Sequence, residues 1–444
     1  MKGSSANQQE HAIVHRLFPF ILGGLVIVVG TLLRPGIYLG DSINSRLATV
    51  YALAHHGTWV IDSPDGTAPN PFEPGTVDKV LSGGRLVSSK PPVLPLMMTL
   101  VYLPFQRMGW TLDRPDVLKP FAALIIFLFC QLPFAAGIWA FMRLTSWMPP
   151  VPWMILGGIL AFGSPLFGYA QQFSNHVPAA GALCGALWCL ERLISPDAPP
   201  RQPRTAFGFG IFTGLVFVLD MPVTLYCVLA GCLLLSSRHI RIWPWVLAGM
   251  LPLVGLQSVC LWMATGSPLP VQMRPELYWY EWSYWRHPLG VDALNESVLI
   301  YLFHMLFGRY GVFLLFPVFM SGFLYLFLGA HQKHQKQHKT VQNPNMPKGF
   351  YLLLWTGFWG LTTYYMIRTN NYGGASYGFR WHLASYPVLA LCAAPVIANI
   401  KARWGWSILL LLAAFSQYSS WECLQQPWGE VQTWSMRWIF GPAV

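Results

Sequence analysis

The sequence predicts an all-α protein that crosses a membrane many times. Of its 444 residues, 54% are hydrophobic and only 10% are charged, whereas a soluble domain carries about 25% charged residues. Its apolar stretches are continuous and near the length of about 20 residues that a helix needs to cross a bilayer, while a β-barrel would show alternating segments of roughly ten residues. We therefore expect a polytopic helical membrane protein in which seven of the eight cysteines, all but Cys423, pack inside apolar segments.

Apolar segments recur along most of the chain. They cover about 17–33, 92–106, 120–142, 152–170, 178–190, 206–219, 221–236, 243–263, 310–330, 350–366, 386–399 and 405–419. The segment 92–106 is short for a hydrocarbon core of about 30 Å, so its hydropathy alone does not decide whether it crosses.

The distribution of charge favours a topology in which 92–106 does not cross. With the N-terminus in the cytoplasm, the cytoplasmic segments then hold 14 Lys and Arg against three acids, and the whole net charge of +11 faces one side. This is the arrangement that the positive-inside rule describes. It predicts 11 spans in an inner (cytoplasmic) membrane, an outer C-terminus and a basic cytoplasmic loop at 331–348. Because this topology accounts for the whole net positive charge, we expect no nucleic-acid partner.

This topology leaves two large outer loops, at 34–119 and 264–309, within one membrane-embedded module that we expect to span 1–444. The first loop contains an amphipathic stretch from Ser42 to His55, which predicts a helix lying in the membrane interface. We find no internal repeat.

The two ends of the first outer loop carry residues suited to chemistry. Asp41 follows the first span, and Gly84-Arg85 and Lys90-Pro91-Pro92 close the loop. A carboxylate at a membrane exit can deprotonate an incoming hydroxyl, although a plain surface acid or a helix cap is also consistent with Asp41. A Lys held by two prolines suits a lipid phosphate at headgroup depth, although a snorkelling Lys would look the same.

Two polar positions stand out near the membrane segments that follow. Asn175-His176 comes after the third span, where a histidine is more often a hydrogen-bonded interfacial residue than a ligand. Asp220 lies between two short apolar segments, and ionisable residues at such positions are functional candidates by default. Its alternative role is to cap a helix beginning near Pro222.

The later outer segments are aromatic and glycine-rich. Tyr280, Trp282 and Trp285 either stack on sugar rings or form an interfacial aromatic belt, which is the commoner case. Tyr372 and Tyr377 flank glycines in the segment 370–382, which also contains Arg380. A guanidinium there suits a phosphate through bidentate contacts, while a snorkelling arginine is the alternative.

Other motifs are excluded or explained by packing. Gly208-x-Gly210 with Gly214 is a helix-packing pattern inside a span, because no strand precedes it as a dinucleotide loop would require. The sequence contains no Cys/His set with zinc spacing, no P-loop and no GxSxG elbow.

Taken together, these pieces resemble the GT-C superfamily of integral-membrane glycosyltransferases, in the branch of protein O-mannosyltransferases and aminoarabinose-lipid A transferases (glycosyltransferase family 39-like). The matching features are Asp41 at the start of the first outer loop, the 42–55 helix, Lys90-Pro91-Pro92, the polar motif at Asn175-His176 and the glycine-rich segment before Arg380. The chain departs from the family where Ser42 follows Asp41 instead of a second acid, and where His176 replaces an acid. It also lacks the large soluble C-terminal domain found in the family, so acceptor binding would use the membrane module.

The resemblance implies transfer of a sugar from a polyprenyl-phosphate donor to a hydroxyl of a glycan, lipid or protein acceptor, at the outer (periplasmic) face. Asp41 would be the general base. Lys90, Arg380 and Arg85 would bind the donor phosphate, and the polyprenyl tail would use an apolar groove near Asp220 among membrane lipids. The residues expected on the substrate and acceptor side are Arg46, Asn175, His176, Asp220, Tyr280, Trp282, Trp285, Tyr372 and Tyr377. The departures from the family weaken the case for a divalent metal, so we expect no metal ligand and no certain cofactor.

Two other functions remain open at this point. A lipid or solute transporter, or a flippase, would show paired ionisable residues near the midplane and internal pseudo-symmetry. A glycan polymerase or ligase would also carry outer arginines, but it would not need the loop with Asp41 and Lys90-Pro91-Pro92.

Overall fold

The computed structural model describes residues 3–63, 68–195, 202–236, 240–323, 346, 348–429 and 432–442. Within these ranges the chain is mostly helical, and its sheet is one two-stranded hairpin, so the predicted all-α class is confirmed. Residues 331–345 of the predicted basic loop lie outside the described residues.

The helices follow one another along the chain, joined by short turns and two long loops. They are α1 Gly3–Leu33, α2 Asp41–His56, α3 Val93–Arg107, α4 Pro115–Ile126, α5 Leu132–Leu144, α6 Pro150–Phe162, α7 Pro165–Tyr169, α8 His176–Ile194, α9 Pro203–Leu219, α10 Thr224–Ser236, α11 Trp243–Thr265, α12 Val298–Leu306, α13 Lys348–Arg368, α14 Ser385–Ala398 and α15 Arg403–Gln425. A π-helical turn, Phe127–Gln131, joins α4 to α5. The strands β1 Lys79–Ser82 and β2 Arg85–Ser88 pair antiparallel.

Among the described residues, four helical segments are long and apolar enough to cross a membrane. They are Ile13–Leu33, Pro115–Leu144, His176–Ile194 and Ile240–Thr265. Shorter apolar helices lie at Pro150–Phe162, Pro203–Leu219, Met221–Leu235 and Ser385–Ala398. Each of the eight falls on a predicted apolar segment, while the count of 11 spans and their orientation stay predictions.

Two predicted apolar segments are interrupted. The segment 152–170 divides into α6 and α7 just before Pro165, because proline lacks an amide donor and disfavours helical geometry at the preceding residue. The predicted span at 310–330 is wrong over 310–316, which form turns. There the Tyr310 carbonyl accepts a hydrogen bond from the Phe379 amide at 3.0 Å, so a tertiary bond replaces a helical one.

Glycines bring α9 and α11 into backbone contact. A Cβ at Gly210 would lie 2.0 Å from the Val246 carbonyl oxygen, and one at Gly214 would lie 2.9 Å from a Leu253 methyl carbon. The backbone of α11 leaves no room for a side chain at Gly210, and a side chain at Gly214 would require Leu253 to move, so both glycines pack against α11 as predicted.

The first outer loop folds as a unit with its own core. The bounds of helix α2 agree with the prediction to within one residue at each end. Its apolar side chains share a core with α3 and α4, formed by Leu47, Val50, Met98, Tyr102 and Phe121. We call α2, the β1–β2 hairpin and α3 the first-loop platform. Before α12, the predicted second outer loop consists of short 3₁₀ turns and irregular chain, and its Val271 and Leu277 pack on the hairpin. The two outer loops therefore lie against each other.

Candidate active site

Asp41 is exposed at the first turn of α2, where its carboxylate holds the segment before β1. Its Oδ1 accepts a hydrogen bond from the Val77 amide at 2.9 Å, and its carbonyl accepts one from the Thr76 hydroxyl at 2.8 Å. The helix cap is Gly40, without a side-chain bond, so the alternative that Asp41 caps the helix is wrong. Among the described residues only Oδ1 accepts a hydrogen bond.

Lys90 is largely buried and paired with an acid that the sequence did not single out. Its Nζ lies 2.7 Å from Oδ2 of Asp78, and the two side chains are 18% and 14% exposed. Burial lowers the pKa of Lys90, and Asp78 opposes that shift. Because Asp78 immediately precedes β1 and Lys90 follows β2, the hairpin brings them together. Lys90 is thus a buried, paired cation and does not snorkel.

Arg46 is the most deeply buried cation of the site, at 1% exposed. Its Nη1 donates to the carbonyl and hydroxyl oxygens of Ser42 at 2.7 and 2.6 Å, and its Nη2 donates to Oδ1 of Asn175 at 2.8 Å. Its Nε has no hydrogen-bond partner in the described part of the chain. Burial lowers the pKa of Arg46 to about 10, so it stays charged at neutral pH.

Arg380 is wrapped by the glycine-rich segment that precedes α14. Gly373 has φ +92°, and a Cβ there would lie 2.8 Å from Cγ of Arg380. The guanidinium lies over the Trp428 ring, 4.9 Å from its centroid, a cation–π contact that favours arginine. Its Nε also lacks a hydrogen-bond partner among the described residues, so Arg380 presents unused donors.

Arg46, Lys90 and Arg380, which we call the cation group, lie close enough to affect one another. After burial, the pKa of Lys90 is lowered by both Arg46 and Arg380, and that of Arg46 is lowered by Arg380. The residues come from α2, the end of the first loop and the segment before α14. Buried like charges repel each other and are costly unless paired, so the arrangement favours an anion among them.

Asp292 is a second acid that the sequence interpretation missed. Its Oδ1 accepts from the Asn371 side chain at 2.7 Å and its Oδ2 from the Tyr284 hydroxyl at 3.2 Å. Burial raises its pKa, while Tyr284 and Arg380 oppose the shift and Asp78 and Asp41 reinforce it. Asp292 therefore connects the second outer loop electrostatically to the cation group and to the Asp41 segment.

A polar junction between α8 and the end of α9 adjoins Arg46 of the cation group. The His176 ring nitrogen Nδ1 lies 2.6 Å from Oδ2 of Asp220, and both side chains are buried. Asn175 donates from Nδ2 to the Leu219 carbonyl at 2.8 Å while its Oδ1 accepts from Arg46. The Asp220 side chain makes no capping bond, so the capping alternative is wrong and its partner is His176.

Arg85 has a different environment from the cation group. Its Nε donates to Oδ2 of Asp62 at 2.8 Å, and its Nη2 donates to the carbonyls of Asp62 and Ser63. The side chain is 40% exposed. Arg85 thus connects the β1–β2 hairpin to the segment at Asp62 and Ser63. Arg46, which we expected on the acceptor side, lies instead with Lys90 and Arg380.

The predicted aromatic residues divide into two groups. Trp285 donates from its indole nitrogen to the Val77 carbonyl at 3.0 Å, so it lies beside the segment that Asp41 holds. Tyr280 is buried in the core of the first-loop platform and contacts the exposed Trp282 ring edge-on. Tyr372 and Tyr377 are buried, and their hydroxyls donate to Glu296 and Glu422; both fix the chain around the glycine-rich segment.

The described residues contain no group of three or more His, Cys, Asp or Glu side chains arranged to hold a metal ion. The acids nearest the cation group already have protein partners, Asp78 in Lys90 and Asp292 in Asn371 and Tyr284. These residues do not fit a divalent ion, and we derive no step through one.

The fold and site together define an α-helical membrane protein with a buried cation group and two long loops that pack against each other. No protein-family model and no curated protein sequence matches the chain. Its fold is similar to that of ArnT from Cupriavidus metallidurans bound to undecaprenyl phosphate, with 14% identity, a TM-score of 0.48 and coverage of 90% of this chain and 62% of that chain. It is also similar to the oligosaccharyltransferase AglB from Archaeoglobus fulgidus in complex with an inhibitory peptide and a dolichol-phosphate, with 11% identity, a TM-score of 0.46 and coverage of 94% and 57%. The chain thus spans about three fifths of the length of these proteins.

Proposed function

We propose that the protein is a GT-C type glycosyltransferase that moves a sugar from a polyprenyl-phosphate donor to an acceptor hydroxyl. The observation that carries the proposal is the cation group, in which the Nε atoms of Arg46 and Arg380 are buried and find no hydrogen-bond partner among the described residues. A phosphate would supply the missing charge and acceptors. Charge-assisted hydrogen bonds are roughly twice as strong as neutral ones, and guanidinium groups match phosphate geometry.

In the proposed reaction, Asp41 takes the proton of the acceptor hydroxyl as its oxygen attacks the anomeric carbon. The bond between that carbon and the phosphate oxygen breaks, and its electron pair stays on the phosphate. Lys90 and Arg380 then stabilise the charge that develops on the leaving lipid phosphate. Asp41 suits the role of base because the Val77 amide fixes one carboxylate oxygen, while the other has no hydrogen-bond partner in the described part of the chain.

The second outer loop is proposed to complete the acceptor side. Trp285 bonds to Val77, one residue before Asp78, and Asp292 interacts with both Arg380 and Asp41. An acceptor held by the second loop would therefore meet Asp41 on one side and the donor phosphate on the other. The predicted topology puts this site at the outer face of an inner membrane, with the N-terminus in the cytoplasm.

The proposal is tested with purified protein in detergent and a panel of undecaprenyl-phosphate hexoses and pentoses, with membrane lipids as acceptors. We expect release of undecaprenyl phosphate, and a loss of roughly ten-fold or more in Lys90→Ala or Arg380→Ala, because each charge-assisted contact is worth about 1.5–3 kcal/mol. Arg114→Ala is the matched control, since Arg114 is exposed and pairs with Asp116. Equal turnover in the wild-type protein and the three variants would contradict the proposal. Lipid transport by a protein that shows no turnover would contradict it too.

A further inference from the structure

The guanidinium of Arg380 makes no hydrogen bond within the described part of the chain. Arg46, by contrast, is fixed by hydrogen bonds to Ser42 and Asn175. What Arg380 contacts instead is the ring of Trp428, whose centroid lies 4.9 Å from Cζ. A ring attracts the cation through its π face and takes up none of the five N–H donors of a guanidinium. This contact therefore orients Arg380 and leaves its donors to a ligand.

A backbone bridge places Trp428 beside Arg380. Trp428 pairs antiparallel with Ser376, in the glycine-rich segment that precedes Arg380. Two backbone hydrogen bonds flank this bridge, from the Tyr377 amide to the Pro427 carbonyl at 3.1 Å and from the Gly429 amide to the Ala375 carbonyl at 3.2 Å. We call residues 427–429 the tail segment. Because the tail segment is paired with the chain that leads to Arg380, the indole and the guanidinium keep one relative position.

Tyr169 at the end of α7 joins the tail segment to the glycine-rich segment. Its hydroxyl lies 3.1 Å from the Tyr377 carbonyl oxygen and 3.2 Å from the Pro427 carbonyl oxygen. Its ring meets the Trp428 ring edge-on, with the two centroids 4.9 Å apart. Tyr169 is fully buried, so this contact limits the movement of the indole.

Glu422 of α15 ties the chain on both sides of Trp428 to the same place. Its Oε2 accepts hydrogen bonds from the Tyr377 hydroxyl at 2.7 Å and from the Trp434 amide at 3.1 Å. Its Oε1 pairs with Arg437. Trp428 therefore lies between two attached parts of the chain, and a residue that positions another needs such a rigid support.

We propose that Trp428 is a positioning residue that orients the Arg380 guanidinium for the donor phosphate. The inference rests on the proposed function, which assigns Arg380 to the phosphate, and adds the residue that holds it. The property required at position 428 is an aromatic face. Leucine would keep an apolar contact with Tyr169 but has no π face, whereas phenylalanine would keep a smaller one.

The experiment measures the equilibrium binding of farnesyl phosphate to the full chain in detergent. In Trp428→Leu the affinity is expected to fall about five-fold or more, because the cation–π contact is lost and Arg380 has to be ordered when the phosphate binds. In Trp428→Phe the affinity should fall by only about two-fold. Trp421→Leu is the matched control, since Trp421 is an exposed tryptophan of α15, and this variant should bind as the wild-type protein does.

A comparison in two backgrounds separates positioning from a general loss of structure. In Arg380→Gln the guanidinium is absent, so the further change Trp428→Leu should not lower the remaining affinity. A purely structural role of Trp428 would lower the affinity by the same factor in both backgrounds. Thermal unfolding establishes that each variant is folded, and Trp428→Phe replaces Trp428→Leu in the comparison if the leucine variant does not fold.

The outcomes distinguish the inference from the proposed function. If Arg380→Gln and Lys90→Ala lose affinity but folded Trp428→Leu binds as the wild-type protein does, the phosphate site stands and the role of Trp428 is overturned. An affinity loss in Trp428→Leu that disappears in the Arg380→Gln background supports the inference.

If the wild-type protein does not bind farnesyl phosphate, the proposed function itself fails, and thermal unfolding without ligand tests the contact between the two residues. Trp428→Leu should then lower the unfolding temperature of the wild-type protein more than that of Arg380→Gln, because the contact is already absent in the second case. An equal decrease in both backgrounds would overturn the inference.

Discussion

Replacing Asp41 by Asn separates its proposed role as a base from its structural contact. The asparagine side chain retains an oxygen in the position of Oδ1, so it still accepts the Val77 amide hydrogen bond that Asp41 accepts at 2.9 Å. It has no basicity at neutral pH. Because general-base catalysis contributes about 10²- to 10⁴-fold, we expect transfer to fall by about 10²-fold or more in Asp41→Asn.

The stability of the same variants supplies the control. Asp41→Asn loses only the favourable interaction of an exposed acid with the N-terminus of α2, worth about 0.3–1 kcal/mol. Asp41→Ala also loses the hydrogen bond to the Val77 amide, which costs about 0.5–1.5 kcal/mol more in stability. It therefore releases the segment that leads to Asp78. The assays are release of undecaprenyl phosphate and thermal unfolding in detergent.

Two results would refute the reasoning about Asp41. Full transferase activity in Asp41→Asn would end its role as base. An Asn variant as unstable as the Ala variant would show that the charge, and not the bond to Val77, holds the segment.

Four further predictions follow from the geometry. Gly373→Ala should reduce donor use, because φ is +92° and the added Cβ would lie 2.8 Å from Cγ of Arg380; activity equal to wild type would show that the turn does not position Arg380. Asp220→Ala should lower the thermal unfolding temperature, because it removes the buried hydrogen-bond partner of His176, and that loss costs about 1–3 kcal/mol; unchanged stability with lost transfer would instead place the pair in the reaction. Burial lowers the pKa of Lys90, so the affinity for farnesyl phosphate should decline as the pH rises through that lowered pKa and Lys90 loses its proton. Lys90→Arg should move this decline to higher pH, and identical pH profiles in the two proteins would contradict the reasoning. Finally, in intact cells an impermeant thiol reagent should label Asp113→Cys but not His338→Cys, in a chain whose native cysteines are replaced, and labelling at 338 would overturn the predicted topology.

The sequence predicted the helices well because a membrane helix is encoded locally. Eight apolar segments coincide with apolar helices, and α2 was found from its amphipathic spacing alone. The failure at 310–316 has a tertiary cause, the hydrogen bond between Phe379 and Tyr310. Hydropathy averages over a window and does not register a bond to a segment some 70 residues away.

The candidate site was only partly predictable, for a related reason. Lys90 and Arg380 were found because each stands at the mouth of an apolar segment beside prolines or glycines. Arg46 was placed on the acceptor side, since nothing in its neighbours indicates that Asn175, more than a hundred residues away, buries its guanidinium. Asp78 and Asp292 were missed because each is a single acid in a polar loop, and their partners arise only when the hairpin and the second loop fold.

The central claim is that Arg46, Lys90 and Arg380 together bind a lipid phosphate. The most direct measurement is a cryo-electron microscopy map of the protein with farnesyl phosphate added in detergent. We predict that the phosphorus lies among the three cations. Phosphate oxygens should lie within hydrogen-bond distance of the Lys90 Nζ and of the Nε atoms of Arg46 and Arg380, which have no partner within the described ranges. A phosphate bound at Arg85, or density outside the cation group while its Nε atoms stay unpaired, would contradict the claim.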